Sequence, residues 1–459
     1  MYEYERGFFE STKALHGQTN LAKRETSLKS QSPTQSVYAS GEAFVKVLIV
    51  NTFDRDGGAA RSARRLHLGL RGIGVDSEMR VLHKKGDDPH TSEADGFLHR
   101  HTKETLPLLD AVSLGVYPSR NITHWSNTYL PGSIDKKVKE MDPDVIHLHW
   151  INRGMVSPAD LRHWKKPIVW TLHDNWPFTG GCHYTVNECT RYQEKCGACP
   201  ALGSTSEKDL SRFNWNRKHK AWQGLDLHII GPSEWLTRRA AESSLFKSRP
   251  CHNLPNGIDT DMYKPGNQAV ARKTFNLPQN KTLLLVVAMN PDSDRNKGGH
   301  LALEALQLAR KKLNSDEAEL VIAGSPEAGT RREGAWTVHH VGVLKEEAEM
   351  AELYQAADFQ LVPSYYENLS NAIMEACSSG LPCVAFAAGG NGDMIKHNEN
   401  GFLAEPHKTE SLAEGIVSYV TDSDLRKAHG EAARKHILEF SEINMISKKH
   451  MEFYQQLLP

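Results

Sequence analysis

Two doubly wound α/β halves, each built on a mostly parallel sheet, are what this 459-residue sequence predicts, and three observations carry the expectation. Short apolar runs alternate with amphipathic helical stretches, a rhythm that requires crossover helices and so a parallel sheet. The alternation runs through twice, with a break near "LPNGIDTDMYKP", residues 254–265. The length also exceeds what one core comfortably fills, which favours two or three domains.

Taken in order, residues 1–44 are rich in Ser, Gln, Thr, Lys and Glu without a sustained period and read as a disordered extension. Their first segment, "MYEYERGFFESTKALHG", has acids where a signal peptide carries bases and lacks an apolar stretch, so a cytoplasmic protein is expected. An N-terminal Rossmann-like domain is expected over 45–262. It takes in "VKVLIV", the helix "ARSARRLHLGLRG", then "SEMRVL", "DVIHLHW", "PIVWTLH", "DLHIIGP" and "CHNLP". A second such domain over 263–440 begins at "KTLLLVVAM" and the helix "HLALEALQLARKK". It continues through "AELVIAG", "WTVHHVGV", the helix "EEAEMAELYQAA", "FQLVPS", the helix "LSNAIMEACSS" and "PCVAF". From about 409 the pattern is helical, and residues 441–459 are expected to form a last helix that packs back on the first domain.

Composition narrows the function. With 39% hydrophobic and 24% charged residues the chain is ordinary globular protein, and a formal net charge of −1 supplies no global field for nucleic acid or an anionic membrane. No basic-aromatic stripe marks a nucleic-acid surface. The longest apolar run, "TLLLVVAM", is far short of the roughly 18 residues of a membrane span and suits a buried parallel strand. Seven cysteines without an export signal argue against a disulfide framework.

Four stretches could carry chemistry. In "NTFDRDGGAARSARRL", Gly57 and Gly58 follow the first strand and open a helix, bringing N–H groups toward an anionic or hydroxyl-rich ligand, or else they form a plain flexible connection. In "RNKGGHLALEAL", Arg295 and Lys297 precede a helix N-terminus, where two cations would neutralise a departing diphosphate. The nearby acidic run Asp292 to Asp294 invites a metal reading, which is set aside because doubly wound folds hold phosphates without metal. Strand ends carry His147, His149 and His173; the last, followed by Asp174 and Trp176, stands where a ligand would sit. In "GGCHYTVNECTRYQEKCGACP", Cys182, Cys189, Cys196 and Cys199 are either a structural zinc set for the loop 180–203 or thiols that merely pack.

The stretch "SYYENLSNAIMEACSSGLPCVAF" places Glu367 just before a helix and Glu375 two turns inside it. With "GPSEW", "LPNGID" and "ENLSNAIMEACSSGLPCVAFAAGGNGDMI", the two-domain layout resembles the retaining glycosyltransferases of the GT-B fold, glycosyltransferase family 4, over about residues 45–440. The stretch "LHDNWPFTGGCHY" further resembles bacterial transferases of exopolysaccharide or colanic-acid assembly. The resemblance implies a nucleotide-sugar donor, UDP- or GDP-linked, on the C-terminal domain and a saccharide or lipid-linked acceptor on the N-terminal one, with chemistry in the cleft between. A lipid-linked acceptor would bring peripheral membrane contact. No cofactor is required for catalysis, and nucleic acid is not a partner. Position by position, Glu367 would face the donor sugar, Glu375 the ribose, and the amides around Asn368, Leu369 and Ser370 the diphosphate. Lys297 matches the phosphate lysine, His173 the histidine near the reacting sugar, and Gly58 the glycine loop. One departure is visible: a Gly-Arg expected after the first C-terminal strand reads "AMNPDSD" here, with Arg295 as substitute. A GT-B-like epimerase or phosphorylase, and a zinc-supported binding protein, are the competing readings.

Overall fold

A computed structural model describes residues 45–94, 105–121, 124–130, 132, 134–287, 295–313 and 317–459. The 1–44 extension, the Asp292 to Asp294 run and the segment "AMNPDSD" lie outside them.

The N-terminal lobe is a seven-stranded sheet. Its strands are β1 (Lys46–Phe53), β2 (Asp76–His83), β3 (Thr91–Glu93), β4 (Val145–Leu148), β5 (Ile168–Thr171), β6 (Leu227–Gly231) and β7 (Cys251–Asn253), in the order β3-β2-β1-β4-β5-β6-β7. Every pairing is parallel. Helix α1 (Gly58–Gly72) follows β1; α2 (Leu106–Ala111), α3 (Asp135–Met141), α4 (Leu210–Trp222) and α5 (Glu234–Glu242) complete the lobe. Val47 to Val50 of β1 are fully buried because both faces are covered: Leu48 and Val50 join one core cluster, Val47 and Ile49 another.

The C-terminal lobe repeats the plan. Strands β8 (Thr282–Val287), β9 (Ala318–Ala323), β10 (Ala328–Glu333), β11 (Trp336–Gly342), β12 (Phe359–Val362), β13 (Cys383–Phe386) and β14 (Phe402–Ala404) lie in the order β10-β11-β9-β8-β12-β13-β14. Only β10 runs antiparallel to its neighbour. Its helices are α6 (Gln268–Thr274), α7 (Gly299–Arg310), α8 (Glu347–Ala356), α9 (Asn371–Ser378), α10 (Asn391–Met394), α11 (Thr409–Thr421), α12 (Ser423–Phe440) and α13 (Ile443–Gln455).

Two elements escape the periodicity. The sequence of β10, "AGTRRE", is exposed along nearly its whole length and has no apolar alternation, since an edge strand needs only backbone pairing. The inner face of α4 includes Ser211, Asn214 and Lys218 beside Trp215 and Trp222, which dilutes the 3.6-residue apolar signal.

Strand order reverses between β1 and β4 in one sheet and between β8 and β12 in the other. Crevices open at the C-terminal ends of strands at such switch points. The chain crosses between lobes twice, and the two crossings are tied to each other: Ile258 N–H donates to Ser441 O at 2.8 Å and Ile443 N–H to Ile258 O at 3.0 Å. Helix α13 then lies on α1 of the N-terminal lobe. Tyr454, fully buried, meets His147 Nδ1 at 2.6 Å. His147 Nε2 meets Thr171 Oγ1 at 2.7 Å, so this strand-end histidine is a packing residue.

The α1–α13 contact depends on Gly69, where a Cβ would stand 2.3 Å from Ser447 Oγ and 2.7 Å from Ile443 Cγ1. Gly69→Val is expected to cost about 1–3 kcal/mol in denaturant unfolding, as overpacked cores do. Burial holds His147 well below the ordinary imidazole value of 6.5 and pushes His450 down to about 3. The folded state therefore keeps both rings neutral while the unfolded chain protonates them. Stability is expected to be full above about pH 6.5 and to decline as pH falls toward 3. Unfolding free energies at a series of pH values check this, and His450→Phe should flatten the slope.

Candidate active site

Both switch points bring their following loops to one place. On the N-terminal side, Gly57 caps α1 with φ 88°, a conformation that disfavours any side chain, and Gly58 starts the helix. Gly58 O accepts from Asn371 Nδ2 of α9 at 3.0 Å, and a Cβ on Gly58 would come within 3.3 Å of that nitrogen. The glycine pair thus lets the first turn of α1 close on the first turn of α9, across the lobes.

Facing it, the loop after β12 carries Glu367. Lys297 closes a short 3-10 turn, Arg295–Lys297, and its Nζ pairs with Glu367 Oε1 at 2.8 Å. Asn296, inside that turn, fixes the approach. Its carbonyl accepts from Tyr365 N–H at 2.8 Å and its Nδ2 donates to Tyr366 O at 3.0 Å. Gly298, at φ 66°, passes so close to Pro363 that a Cβ would be 1.9 Å from its carbonyl oxygen. On the other side, Gly390 N–H donates to Glu367 O at 2.9 Å. Cβ atoms at Gly389 and Gly390 would each fall 1.8 Å from a carbonyl oxygen, of Glu367 and Asn368 respectively. Three glycines therefore hold the backbone around Glu367 from both sides.

Asn368 reaches across to the N-terminal lobe: Nδ2 donates to Leu172 O at 3.0 Å and Oδ1 accepts from Ser233 Oγ at 2.8 Å. His173 follows Leu172 as Glu367 precedes Asn368, so this one side chain brings the histidine and the glutamate to the same lobe junction. Leu369 is buried in the C-terminal core, and Ser370 caps α9, its Oγ accepting from Ile373 N–H. Half-buried His173 has Nε2 2.9 Å from His149 Nδ1, and burial pushes its pKa down to about 4. The adjacent Asp174 is anchored by His183 Nδ1 at 2.6 Å and Trp150 Nε1 at 2.9 Å.

Glu375 stands apart from its sequence expectation. It is 1% exposed; Oε1 accepts from Arg65 Nη2 at 2.8 Å and Arg61 Nη1 at 3.1 Å, and Oε2 from Tyr354 Oη at 3.1 Å. Burial pushes this carboxyl up, but Arg61 and Arg65 outweigh it and hold the group below the usual carboxylate range. Here the acid assigned to a ribose serves as a lobe-to-lobe ion pair, with both oxygens engaged by protein. Sequence reading missed Arg61, Arg65, Ser233 and the Asn368 side chain. The arginines' signal was their spacing, four apart on one face of α1, which a solvated helix also shows; Ser233 lies in the quoted "GPSEW" and Asn368 was read for its amide alone.

The four cysteines are free thiols in the segment after β5, and among the described residues no group of three or more His, Cys, Asp or Glu is placed to hold a metal ion.

Removing a partner from a buried ion pair leaves an uncompensated charge, so Glu375→Gln is expected to destabilise the ligand-free protein by about 3–5 kcal/mol in denaturant unfolding. The same measurement on Glu367→Gln, whose partner Lys297 is 44% exposed, should show less than about 1 kcal/mol.

Residues 56–262 match the family Glycosyltransferase Family 4, and residues 268–436 match Glycosyl transferases group 1. The D-inositol 3-phosphate glycosyltransferase of Corynebacterium aurimucosum is 25% identical over 315 residues, 66% of this chain and 69% of that protein. Its counterpart in Mycobacteroides abscessus is 24% identical over 404 residues, 82% of this chain and 79% of that protein. Among solved structures, sucrose-phosphate synthase of Thermosynechococcus elongatus superposes with TM-score 0.64 at 18% identity, over 90% of this chain and 99% of that one. HepE of Anabaena, solved with UDP-glucose, superposes with TM-score 0.59 at 16% identity, over 90% and 99%. Two matched domains that together run from 56 to 436, on two facing Rossmann-like sheets, make this chain a glycosyltransferase of the GT-B fold.

Proposed function

We propose that the protein transfers a sugar from a nucleotide-sugar donor to a hydroxyl-bearing acceptor with retention of anomeric configuration. The observation that carries this reading is the Lys297–Glu367 pair at 2.8 Å, set beside the N-terminus of α9 and the junction that holds His173. An ammonium next to free helical N–H groups is a site for a diphosphate, and a carboxylate beside it is an acceptor for sugar hydroxyls.

On this reading the donor's diphosphate lies at the start of α9, against the amides of Leu369 and Ser370, with Lys297 and Arg295 on the side where charge grows as it leaves. Glu367, released from Lys297 by the phosphates, takes up donor hydroxyls and orients the ring. It is a positioning carboxylate, unlike the covalent nucleophile of a retaining glycosidase. The acceptor oxygen attacks from the leaving-group face and its proton passes to the departing phosphate, so no enzymatic base is consumed. His173, held neutral at physiological pH, donates to or accepts from a sugar hydroxyl without bringing a charge to the reacting carbon. Gly57 and Gly58 leave the floor of the cleft clear of side chains on the acceptor side. Positioning and electrostatics supply the acceleration.

UDP is the favoured donor nucleotide, GDP the alternative, since HepE is solved with UDP and UDP-glucose. The relatives named D-inositol 3-phosphate glycosyltransferases support a polyol phosphate as an acceptor to set beside a saccharide or lipid-linked saccharide of polysaccharide assembly. Among the described residues no helix is long and apolar enough to cross a membrane, so a lipid-linked acceptor would be met at a membrane surface.

Thermal unfolding with UDP-, GDP-, ADP- and TDP-sugars tests the donor. One nucleotide family at about 100 times its Kd should add about 2.7 kcal/mol of stability. Absence of stabilisation by every sugar nucleotide would remove the donor assignment. With the donor identified, Lys297→Ala should lower kcat by about 10²–10³-fold, the loss seen when a transition-state charge stabiliser is removed. An inverted product anomer by NMR would refute retention.

A further inference from the structure

Resting on the nucleotide-sugar reading of this cleft, we propose that Arg61, on the first helix of the N-terminal lobe, is a phosphate-binding residue that reaches the donor diphosphate from across the lobe junction. Arg61, Arg64 and Arg65 stand on one face of α1, at i, i+3 and i+4. They meet two carboxylates of the C-terminal lobe. Glu375 pairs with Arg65 at 2.8 Å and Arg61 at 3.1 Å, and Glu347 with Arg65 at 3.5 Å and Arg64 at 3.8 Å. Three guanidinium groups against two carboxylates leave one positive charge over, among the described residues, at the place where the lobes meet.

Hydrogen bonding points the same way. Arg65 is 4% exposed, yet only its Nη2 is engaged, donating to Glu375, to Glu347 and to Tyr263 Oη at 3.2 Å. Its Nε and Nη1 are buried with no partner among the described residues. The Tyr263 ring centre lies 5.2 Å from the guanidinium carbon, and the N–H groups of Nε and Nη1 stay unmet beside it. Buried donors are almost always satisfied, so orphaned ones within a cationic cluster mark it as a receptor for an anion rich in acceptors. A diphosphate is such an anion.

Of the two arginines on Glu375, Arg61 is the one free to turn. Its side chain is 33% exposed, and it makes the longer contact, to an oxygen that Arg65 already holds. Its turn of α1 packs on the first turn of α9: Arg61 N–H donates to Gly57 O at 3.2 Å, and Gly58 O accepts from Asn371 Nδ2 at 3.0 Å. A Cβ on Gly57 would meet nothing within 4 Å, so there is open room beside this turn. When Arg61 turns to phosphate, Glu375 keeps Arg65 and Tyr354, and no buried charge loses its counterion. The planar fork of a guanidinium then matches paired phosphate oxygens. Lys297 and Arg61 hold the diphosphate from the two lobes.

The test is isothermal titration of the full-length chain with inorganic pyrophosphate, UDP and GDP, on wild type, Arg61→Ala and Arg61→Lys. Pyrophosphate carries the recognised group without base or sugar. Arg61→Ala should raise the Kd of pyrophosphate, and of the nucleotide that binds, by about 10–100-fold, the loss of one or two charge-assisted hydrogen bonds. Arg61→Lys should fall in between, because an ammonium keeps the charge without the fork. If Arg61→Ala does not fold, Arg61→Lys carries the comparison. Uridine or guanosine, which lack phosphate, should bind wild type and variant alike; an equal loss for the nucleoside would make Arg61 a structural support and overturn the proposal. Unchanged affinity in the variants, for every ligand that binds the wild type, would overturn the role of Arg61 and leave the donor reading standing. Folded wild type that binds none of pyrophosphate, UDP and GDP would overturn the two together.

Discussion

The arrangement of this molecule hangs on one buried carboxylate. Glu375 sits on a helix of the C-terminal lobe, yet two of its three partners, Arg61 and Arg65, come from the first helix of the N-terminal lobe. A charge at 1% exposure cannot be left without counterions, and Arg65, itself 4% exposed, has the same need. The two lobes therefore satisfy one another's buried charges. That requirement brings the first turn of α1 against the first turn of α9, where Gly58 and Asn371 meet. Tyr354, Tyr263 and Glu347 surround the pair and fix its geometry, so the ion pair acts as a registered contact.

Around the cleft the backbone does the positioning. Gly298, Gly389 and Gly390 allow carbonyl oxygens to approach at distances no Cβ would tolerate. Consequently the loop that carries Glu367 is set by main-chain contacts on two sides, and its side chain is left for electrostatics. Lys297 is the complementary part, a half-exposed ammonium that pairs with Glu367.

The N-terminal lobe contributes rigidity of another kind. His450, His147, His149 and His173 form a column of neighbouring rings, with centroids 5.4, 4.6 and 5.2 Å apart, running from the C-terminal helix to the cleft. Burial keeps these imidazoles uncharged, and hydrogen bonds to Tyr454, to Thr171 and between His149 and His173 set which nitrogens carry protons. Helix α13 thus helps define the protonation of a histidine at the lobe junction.

How much of this was legible beforehand follows from the range of each interaction. Continuous apolar runs such as "VKVLIV" and "TLLLVV" read as buried parallel strands because they are short, rich in β-branched residues and alternate with amphipathic helices, and two such series read as two sheets. Gly57, Gly58, Lys297 and Glu367 could be picked out since they follow strands at the ends where α/β sheets collect ligands. The edge strand β10 was invisible, its residues being exposed and its pairing purely backbone. The commitments of Glu375 to Arg61 and Arg65, of Asn368 to Leu172 and Ser233, and of the four cysteines to one cavity join residues far apart in sequence or on separate turns of a loop without regular structure. The sequence by itself determined the two α/β halves and the residue types at their strand ends, through short-range periodicity and turn chemistry. Only the tertiary structure decided which charges pair, because burial and the crossing of one lobe over the other exist only once the chain has closed.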